Sequence, residues 1–140
     1  ESVAYGKRMI IDTFTKNGVN IRKLYATGGI AEKSSFVMQT FADVIHMPVY
    51  VAAAPQATAM GAAMFGAVAA GKACGGYNTI SEAGNAMGGG IKTVYEPNPE
   101  AAEIYEELYQ EYVKLHDYFG RDSNSVMKRL KTIKKEVRQK

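Results

Sequence analysis

Apolar residues recur at helical spacing in several segments of the chain, and short apolar runs lie between these segments. Apolar positions three or four residues apart are typical of helices, whereas short runs bounded by glycine or proline are typical of strands. The pattern predicts helices over residues 3–17, 34–45, 58–70, 81–87 and 99–118, with Asn98 as the N-cap of the fifth and Pro99 at its first position, and a last helix capped by Asp122 or Ser123. It predicts strands over residues 21–27 and 47–52, a turn at residues 55–56, a flexible loop at residues 88–90 and a short extended piece at residues 92–95.

Three helices carry predicted apolar faces. The face of the first contains Val3, Met9, Ile10 and Phe14, that of the fifth Ile104, Leu108, Tyr112 and Leu115, and that of the last Val126, Leu130, Ile133 and Val137. The helix over residues 58–70 is different, because nearly all of its residues are small or apolar on every side. A helix that is apolar all round is expected to be buried, so we predict that this one lies in a core.

Helix and strand alternate in the first half of the chain, which suits right-handed crossovers between two parallel strands. Two parallel strands make a poor sheet by themselves, because parallel sheets are normally covered and extended on both sides. We therefore expect the chain to supply only part of a sheet. The remainder would come from further sequence or from another copy, so a homo-oligomer is one expectation.

Composition narrows the class of protein. The chain has 140 residues, of which 46% are hydrophobic and 22% are charged, as in a globular domain with a real core. No apolar run is long enough to span a bilayer, and no signal peptide is visible, so we expect no membrane partner. The single cysteine, Cys74, excludes an internal disulfide and fits a reducing, cytoplasmic compartment.

The net charge of +3 is modest, and its lysines and arginines gather near the C-terminus in a run that ends at Lys140. Such a run is usually a solvated helix face. Nucleic-acid binding would need a broader basic patch with interleaved aromatic residues, so we expect no nucleic-acid partner.

The stretch around Gly28 and Gly29 holds the strongest candidate chemistry. A strand, a glycine turn and a helix N-terminus form a possible anion site, because glycine lets the backbone approach a phosphate and the helix end is partly positive. A glycine pair after a strand is more often a plain turn. Lys33 follows, where a cation could meet a nucleotide, although a lysine at this kind of position is more often simply solvated.

The remaining titratable residues point to no further site. Glu32 and Asp43 lie in the glycine loop and the helix after it, and exposed carboxylates are the default for both. His46 and His116 are far apart in sequence, so packing or surface roles are expected rather than metal binding.

Three sequence blocks in order carry a resemblance to a known family. ATGGIAEKSSFVMQTFADV, PQATAMGAAMFGAVAAG and the preceding RMIIDTFTKNGVNIRKLYATGG resemble the C-terminal part of the FGGY carbohydrate kinases. The ending, IYEELYQEYVKLHDYFGR followed by NSVMKRLK, is similar to the branch of that family that phosphorylates L-ribulose in arabinose catabolism, not to the branches that act on xylulose or glycerol.

The resemblance implies an α/β fold, namely the C-terminal half of an actin/ribonuclease H-like ATPase domain with additional C-terminal helices. Residues 1–95 would belong to the nucleotide-binding domain and residues 96–140 to the helical extension. In the family, the backbone at Gly28 and Gly29 packs against the phosphates and ribose of ATP, and the position of Lys33 lies near the adenine. Relatives often carry Asn there, which weakens the assignment of Lys33.

The resemblance also implies what this chain lacks. The family's catalytic aspartate, sugar pocket and first phosphate-binding loop lie upstream of the matching region, and Asp12 and Asp43 do not stand in that aspartate's motif. We therefore expect the chain to begin within a helix of a longer ATP- and Mg²⁺-dependent kinase, to be inactive alone, and to bind ATP or ADP weakly. The alternative is a non-catalytic actin-like nucleotide-binding or assembly module that holds a partner through its sheet edge.

Overall fold

The computed structural model describes residues 1–54, 56–121 and 124–138. Pro55 of the predicted turn and the predicted caps Asp122 and Ser123 lie outside the described residues. The helices are α1 Ser2–Lys16, α2 Gly29–Lys33, α3 Ser35–Ile45, α4 Ala57–Ala70, α5 Ile80–Met87, α6 Pro99–Gly120 and α7 Val126–Arg138, with a single 3-10 turn at Lys72–Cys74, and the strands are β1 Leu24–Ala26, β2 Val49–Ala52 and β3 Ile91–Tyr95.

The three strands form one mixed sheet in the order β1-β2-β3. β1 and β2 are parallel, as the alternating pattern predicted, with Tyr25 opposite Tyr50. β3 corresponds to the predicted extended piece and pairs antiparallel with the other side of β2, with a register irregularity between Val51 and Ala52. The sheet therefore has its parallel pair extended on one side by a strand from later in the same chain.

Helix α3 covers one face of the sheet and forms the first core with it. Ser34 caps the helix, because its Oγ accepts a hydrogen bond from the Val37 backbone N–H at 3.3 Å. The helix ends at His46, whose φ of 58° places it in the left-handed region. The buried side chains of this core come from α2, α3 and β2, with partial cover from β1 and β3, and they are Ala31, Met38, Ala42, Val49 and Val51.

A second core joins α1, α3 and α6 around tyrosine rings. Ala4 and Tyr5 of α1 pack with Val44 of α3 and Tyr109 of α6. Helix α6 begins as predicted, with Pro99 at its first turn and the Asn98 side chain accepting a hydrogen bond from the Glu100 backbone N–H at 3.0 Å. This arrangement fixes α6 on the outer side of α3, away from the sheet.

The predicted apolar faces of α1, α6 and α7 are mostly exposed. Met9 and Tyr112 are half-buried, and Tyr112 packs against the second core. The other ten members are exposed: Val3, Ile10, Phe14, Ile104, Leu108, Leu115, Val126, Leu130, Ile133 and Val137. In α1 and α6 the tyrosine side is buried instead, since several rings meet there and bury more area than the aliphatic side could. The helices were therefore predicted correctly, but the side that each one buries was not.

Helix α4 corrects another prediction, because none of its residues is buried. Phe65, its largest side chain, is 68% exposed. The helix packs against α5 and the 3-10 turn, and these elements cover one side of it. An apolar composition on all sides thus occurs here without burial in the described part of the chain. No helix in the described ranges has the length and apolar character needed to cross a membrane.

Candidate functional site

The carboxyl ends of β1 and β2 meet at one edge of the sheet, and two glycine runs lie at that edge. Ala26, the last residue of β1, pairs with Val51 next to the end of β2. Gly28 and Gly29 follow β1 directly, and Gly90 precedes β3, whose start lies beside the end of β2. In open α/β sheets, ligands bind outside the carboxyl ends of the parallel strands. The candidate site therefore lies at this edge.

Gly28 has a backbone conformation that requires glycine. Its φ is 91° and its ψ is 178°, a region that is almost exclusive to glycine because it has no Cβ. Its carbonyl oxygen accepts a hydrogen bond from the Glu32 backbone N–H at 3.1 Å, which closes the first turn of α2. The glycine pair therefore turns the chain sharply from β1 into a helix.

The space outside this turn is open. Gly28 is half-buried and Gly29 is exposed, and a Cβ built on either residue would meet no atom within 4 Å. Gly29 does not have the positive φ of Gly28. Neither backbone strain nor close packing within the described residues therefore requires glycine at this position. A ligand could approach the backbone here without displacing any protein atom.

The helix that follows the glycines differs from the predicted one. The predicted helix from residue 34 exists as α3, but the separate helix α2 of five residues stands between it and the turn. The first backbone N–H groups of a helix have no partner inside it, so those at the start of α2 are available to a ligand. The dipole of a helix of five residues is small.

Lys33 lies at the other end of α2 and is exposed. It is four residues beyond Gly29, which corresponds to about 6 Å along a helix axis. The structure therefore brings the three predicted residues into one exposed segment, with the glycines at its start and the cation at its end.

Glu32 and Asp43 were both expected to be exposed, and neither is. Glu32 is half-buried, and its Oε1 atom is buried without a hydrogen-bond partner in the described part of the chain. Asp43 is only 5% exposed, and its Oδ1 accepts hydrogen bonds from the Gln39 side-chain amide at 2.8 Å and from the Asn98 backbone N–H at 2.7 Å. Asp43 therefore has a structural role, because it ties α3 to the start of α6.

The second glycine run, Gly88–Gly90, lies against the end of β2. The Ala53 backbone N–H donates to the Gly90 carbonyl oxygen at 3.0 Å. A Cβ on Gly89 would lie 3.2 Å from the Ala53 carbonyl carbon, so a side chain there would crowd the backbone. This close approach was not predicted, since the sequence indicated only a flexible loop. It holds the entry to β3 at the same edge as the Gly28–Gly29 turn.

An apolar groove of about 780 Å³ lies beside the glycine turn, between α1, β1 and α3. Its wall includes Ile10 from α1, Tyr25 from β1 and Thr27 just after that strand. Ile30 from α2 and Phe36 from α3 complete it. Ile10, Tyr25, Ile30 and Phe36 are among the exposed apolar side chains of the chain, so the groove is a surface without cover in the described residues.

Arg8 links three helices behind the site. Its guanidinium lies over the Tyr109 ring at 4.1 Å, donates to the Val44 carbonyl oxygen at 3.0 Å, and forms an ion pair with Glu106. A hydrogen bond from Gln110 and the contact with Arg8 hold the pKa of Glu106 below its usual value. Burial, together with a hydrogen bond to Asp12 at 2.6 Å, raises the pKa of Tyr109.

The histidines take surface or capping positions. His46 caps α3 and lies 3.3 Å from the Arg8 guanidinium, and His116 lies 2.9 Å from Asp117. Among the described residues, no three His, Cys, Asp or Glu side chains are grouped so that they could hold a metal ion.

Comparison with known proteins identifies related sequences. Residues 1–70 match the model of the FGGY family of carbohydrate kinases, C-terminal domain. The chain is 54% identical over 138 residues to a ribulokinase from Geobacillus thermodenitrificans, covering 99% of this chain and 24% of that protein. It is 52% identical over 138 residues to a ribulokinase from Anoxybacillus flavithermus, with the same coverage of 99% and 24%. The chain therefore spans about a quarter of the length of these relatives.

Solved structures share its fold. A ligand-bound xylulose kinase from Lactobacillus acidophilus superimposes with a TM-score of 0.69 at 28% identity, covering 86% of this chain and 23% of that one. A gluconate kinase from the same organism superimposes with a TM-score of 0.61 at 31% identity, covering 76% and 20%. The mixed α/β arrangement with a small sheet, predicted as an actin/ribonuclease H-like ATPase fold, is confirmed by these neighbours.

Proposed function

Because the chain belongs to the FGGY family of carbohydrate kinases, we propose that it forms the adenine-nucleotide side of the active-site cleft of an ATP-dependent L-ribulose kinase. The whole enzyme would transfer the γ-phosphoryl group of ATP to the terminal hydroxyl of L-ribulose, giving L-ribulose 5-phosphate and ADP in arabinose catabolism. The substrate in this proposal rests on the ribulokinases that are 52–54% identical to the chain.

The observation that carries the nucleotide assignment is the open Gly28–Gly29 turn at the carboxyl edge of the sheet. The positive φ of residue 28 requires glycine there. At Gly29, the space that a Cβ would point into is open, and no described residue fills it. A polyphosphate needs close approach to backbone N–H groups, and a glycine pair before a helix start permits it. In the proposal, the turn contacts the phosphates and ribose, and exposed Lys33 lies near the adenine.

Phosphoryl transfer also requires a base that orients the acceptor hydroxyl, and usually Mg²⁺ on the phosphates. Neither the base nor the Mg²⁺ site can be assigned to the described residues of this chain. Asp43 is engaged with Gln39 and Asn98, and Asp12 accepts from Tyr109, so neither carboxylate is free to act as the base. The described residues hold no three-ligand metal group. The proposal therefore assigns the base, the sugar pocket and the Mg²⁺ site to the part of the enzyme that this chain does not span.

The division of the chain follows from the same proposal. Residues 1–95 would complete the nucleotide-binding domain, since β3 joins its sheet, and residues 96–140 would form the helical extension. We place the enzyme in the cytoplasm, where ATP is present, and exposed free Cys74 is compatible with that reducing compartment.

A chimeric enzyme tests the proposal directly. The C-terminal quarter of the Geobacillus thermodenitrificans ribulokinase would be replaced by this chain, which matches it at 54% identity. We expect the chimera to form ADP from ATP only when L-ribulose is present, at a rate comparable with that of the parent enzyme. A folded chimera without kinase activity would contradict the assignment of this chain to the nucleotide side of the cleft.

The nucleotide assignment is tested in the same chimera. Gly29→Val should raise KM for ATP about tenfold, the effect of about 1.4 kcal/mol of lost contact, with little change in KM for L-ribulose. Gly120→Val is the matched control, because Gly120 also has open space around its Cβ position but lies at the end of α6. Equal effects of the two substitutions on KM for ATP would contradict a nucleotide role for the turn.

A further inference from the structure

Helix α2, which begins at Gly29, is held in place by α3. Ala31 is the buried residue of α2, and it belongs to the first core together with Met38 and Ala42 of α3. Only Ser34 separates the two helices in the sequence. The position of the glycine turn therefore depends on β1 on one side and on α3, through α2, on the other.

Hydrogen bonds from other segments fix the place of α3 along its own axis. Apolar contacts do this poorly, because hydrophobic attraction has no direction. In the described part of the chain, the bonds of Gln39 and Asp43 lead to the segment that enters α6, and the bond of the Val44 carbonyl oxygen leads to Arg8 of α1. The helix is thus tied at its middle and at its C-terminal end, whereas the candidate site lies beyond its N-terminal end.

Arg8 is itself held by several groups. Its Nη1 donates to the Val44 carbonyl oxygen at 3.0 Å, and its side chain is only 15% exposed. The guanidinium lies 4.1 Å from the centre of the Tyr109 ring and pairs with the carboxylate of Glu106, both on α6. The Tyr109 hydroxyl donates in turn to Asp12 of α1 at 2.6 Å. The guanidinium therefore has a defined place at the end of α3.

The bond from Arg8 satisfies an acceptor that the helix cannot satisfy. Val44 is 0% exposed, and the residue four positions later is Pro48, which has no backbone N–H to donate. A buried carbonyl group without a partner is costly, so the end of α3 would gain free energy by moving towards another donor if Arg8 were removed. The eleven residues of α3 span about 16 Å as one rigid element, so a shift at Val44 reaches α2.

We propose that Arg8 is a positioning residue for nucleotide binding, because it holds the C-terminal end of α3 and thereby sets the place of the Gly28–Gly29 turn before α2. Arg8 acts through α3 and touches no nucleotide. The inference rests on the proposed function, since it concerns the ATP side of the same cleft.

Substitutions of residue 8 in the chimeric enzyme test the proposal. Arg8→Met keeps an unbranched side chain beside the Tyr109 ring but loses the bond to Val44. We expect it to raise KM for ATP about fivefold, because the turn is displaced from the phosphates. KM for L-ribulose should stay within about twofold of the original, since the sugar pocket is assigned to another part of the enzyme. Arg8→Lys can still donate to the carbonyl and should bring KM for ATP back to within about twofold.

Two control variants separate positioning from a general loss of stability. Ala102→Gly weakens α6, because Ala102 is buried there and glycine is a poor helix residue, but it leaves Arg8 in place. Glu106→Gln removes the charge that Arg8 pairs with and leaves the bond to Val44 available. Neither control should raise KM for ATP by more than about twofold. If Arg8→Met does not fold, Arg8→Gln replaces it with the same expected rise, since a glutamine is too short to reach the carbonyl.

Three results would overturn the inference. The first is an unchanged KM for ATP in the Arg8→Met chimera while Gly29→Val still raises it, and this result leaves the proposed function intact. The second is an equal rise with Ala102→Gly, which would assign the effect to the stability of α6. The third is an equal rise with Glu106→Gln, which would assign it to the ion pair instead of the bond to Val44. A folded chimera that has the original Arg8 but no kinase activity would instead refute the proposed function, and this inference with it.

Discussion

Replacing Asp43 by alanine should destabilise the chain more than any exposed charge substitution. The carboxylate is 5% exposed and accepts two hydrogen bonds through Oδ1, from Gln39 at 2.8 Å and from the Asn98 backbone N–H at 2.7 Å. Gln39 also donates to the Glu96 carbonyl oxygen at 2.7 Å. These bonds fix the passage from β3 into α6, so their loss loosens both the sheet edge and the second core.

The magnitude follows from the two partners. A hydrogen bond to a charged group contributes about 1.5–3 kcal/mol, and a part-buried donor left without a partner costs about 1–3 kcal/mol. The Gln39 amide keeps its bond to Glu96, whereas the Asn98 N–H loses its acceptor. We therefore expect Asp43→Ala to lower the free energy of unfolding by about 3 kcal/mol. Asp43→Asn retains an oxygen acceptor without the charge, and should cost about 1 kcal/mol.

Urea unfolding followed by far-UV circular dichroism measures these differences. With a denaturant slope of about 2 kcal/mol per molar, a loss of 3 kcal/mol lowers the midpoint by about 1.5 M. Glu103→Ala serves as control, because Glu103 is exposed on α6 and its removal should change stability by no more than about 0.5 kcal/mol. A midpoint for Asp43→Ala equal to that of this control, or equal losses for Asp43→Asn and Asp43→Ala, would contradict the role of the two hydrogen bonds.

Three further substitutions probe other features of the structure. Gly28→Ala should cost about 1–3 kcal/mol of stability because of its backbone conformation, whereas Gly29→Ala should be neutral; equal urea midpoints would contradict the difference in strain. Glu106 has a lowered pKa, so it stabilises the fold above its unfolded pKa of about 4.5 and that contribution is lost as pH falls. Glu106→Gln should flatten the decline in stability below that pH, and an unchanged acid unfolding curve would refute this. Phe65→Lys should leave the stability of this chain within about 0.5 kcal/mol, since the ring is exposed; a larger loss would show that α4 packs on more of the chain than α5.

Local sequence rules predicted the elements well, because they act through neighbouring residues. The caps Ser34 and Asn98 place the starts of α3 and α6 through hydrogen bonds within three residues, which the sequence displays directly. Helix α2 was missed because five residues are too few for a helical period to be visible. The length of β1 was overestimated, since Ile21 is apolar but the pairing with β2 begins only at Leu24.

Burial was predicted less well, because it depends on contacts between distant segments. Asp43 was expected to be exposed, and only the position of Asn98, 55 residues later, explains why it is buried. The aliphatic residues of α1 and α6 were taken as core, yet Tyr5 and Tyr109 form the core instead, and Tyr112 is the one member of the predicted α6 face that packs against them. The glycines of the candidate site were proposed from their residue type and position in the sequence. The close approach of Gly89 to Ala53 joins segments that are far apart in the sequence, so only the fold reveals it.

The exposed apolar surfaces bear on how the proposed enzyme is built. The groove beside the glycine turn is open in the described chain, and so are the sides of α4 that face neither α5 nor the 3-10 turn. An uncovered helix of small apolar residues is costly in water, but it allows another backbone to approach closely. The relatives are about four times as long as this chain, which corresponds to their 24% coverage. If the chain forms one side of a nucleotide cleft, the remainder of the enzyme must cover both surfaces.

The same Phe65→Lys substitution that is harmless here should then destabilise the chimeric kinase by about 2 kcal/mol or more, since a buried charge replaces a packed ring. Equal tolerance in the two proteins would argue against that architecture.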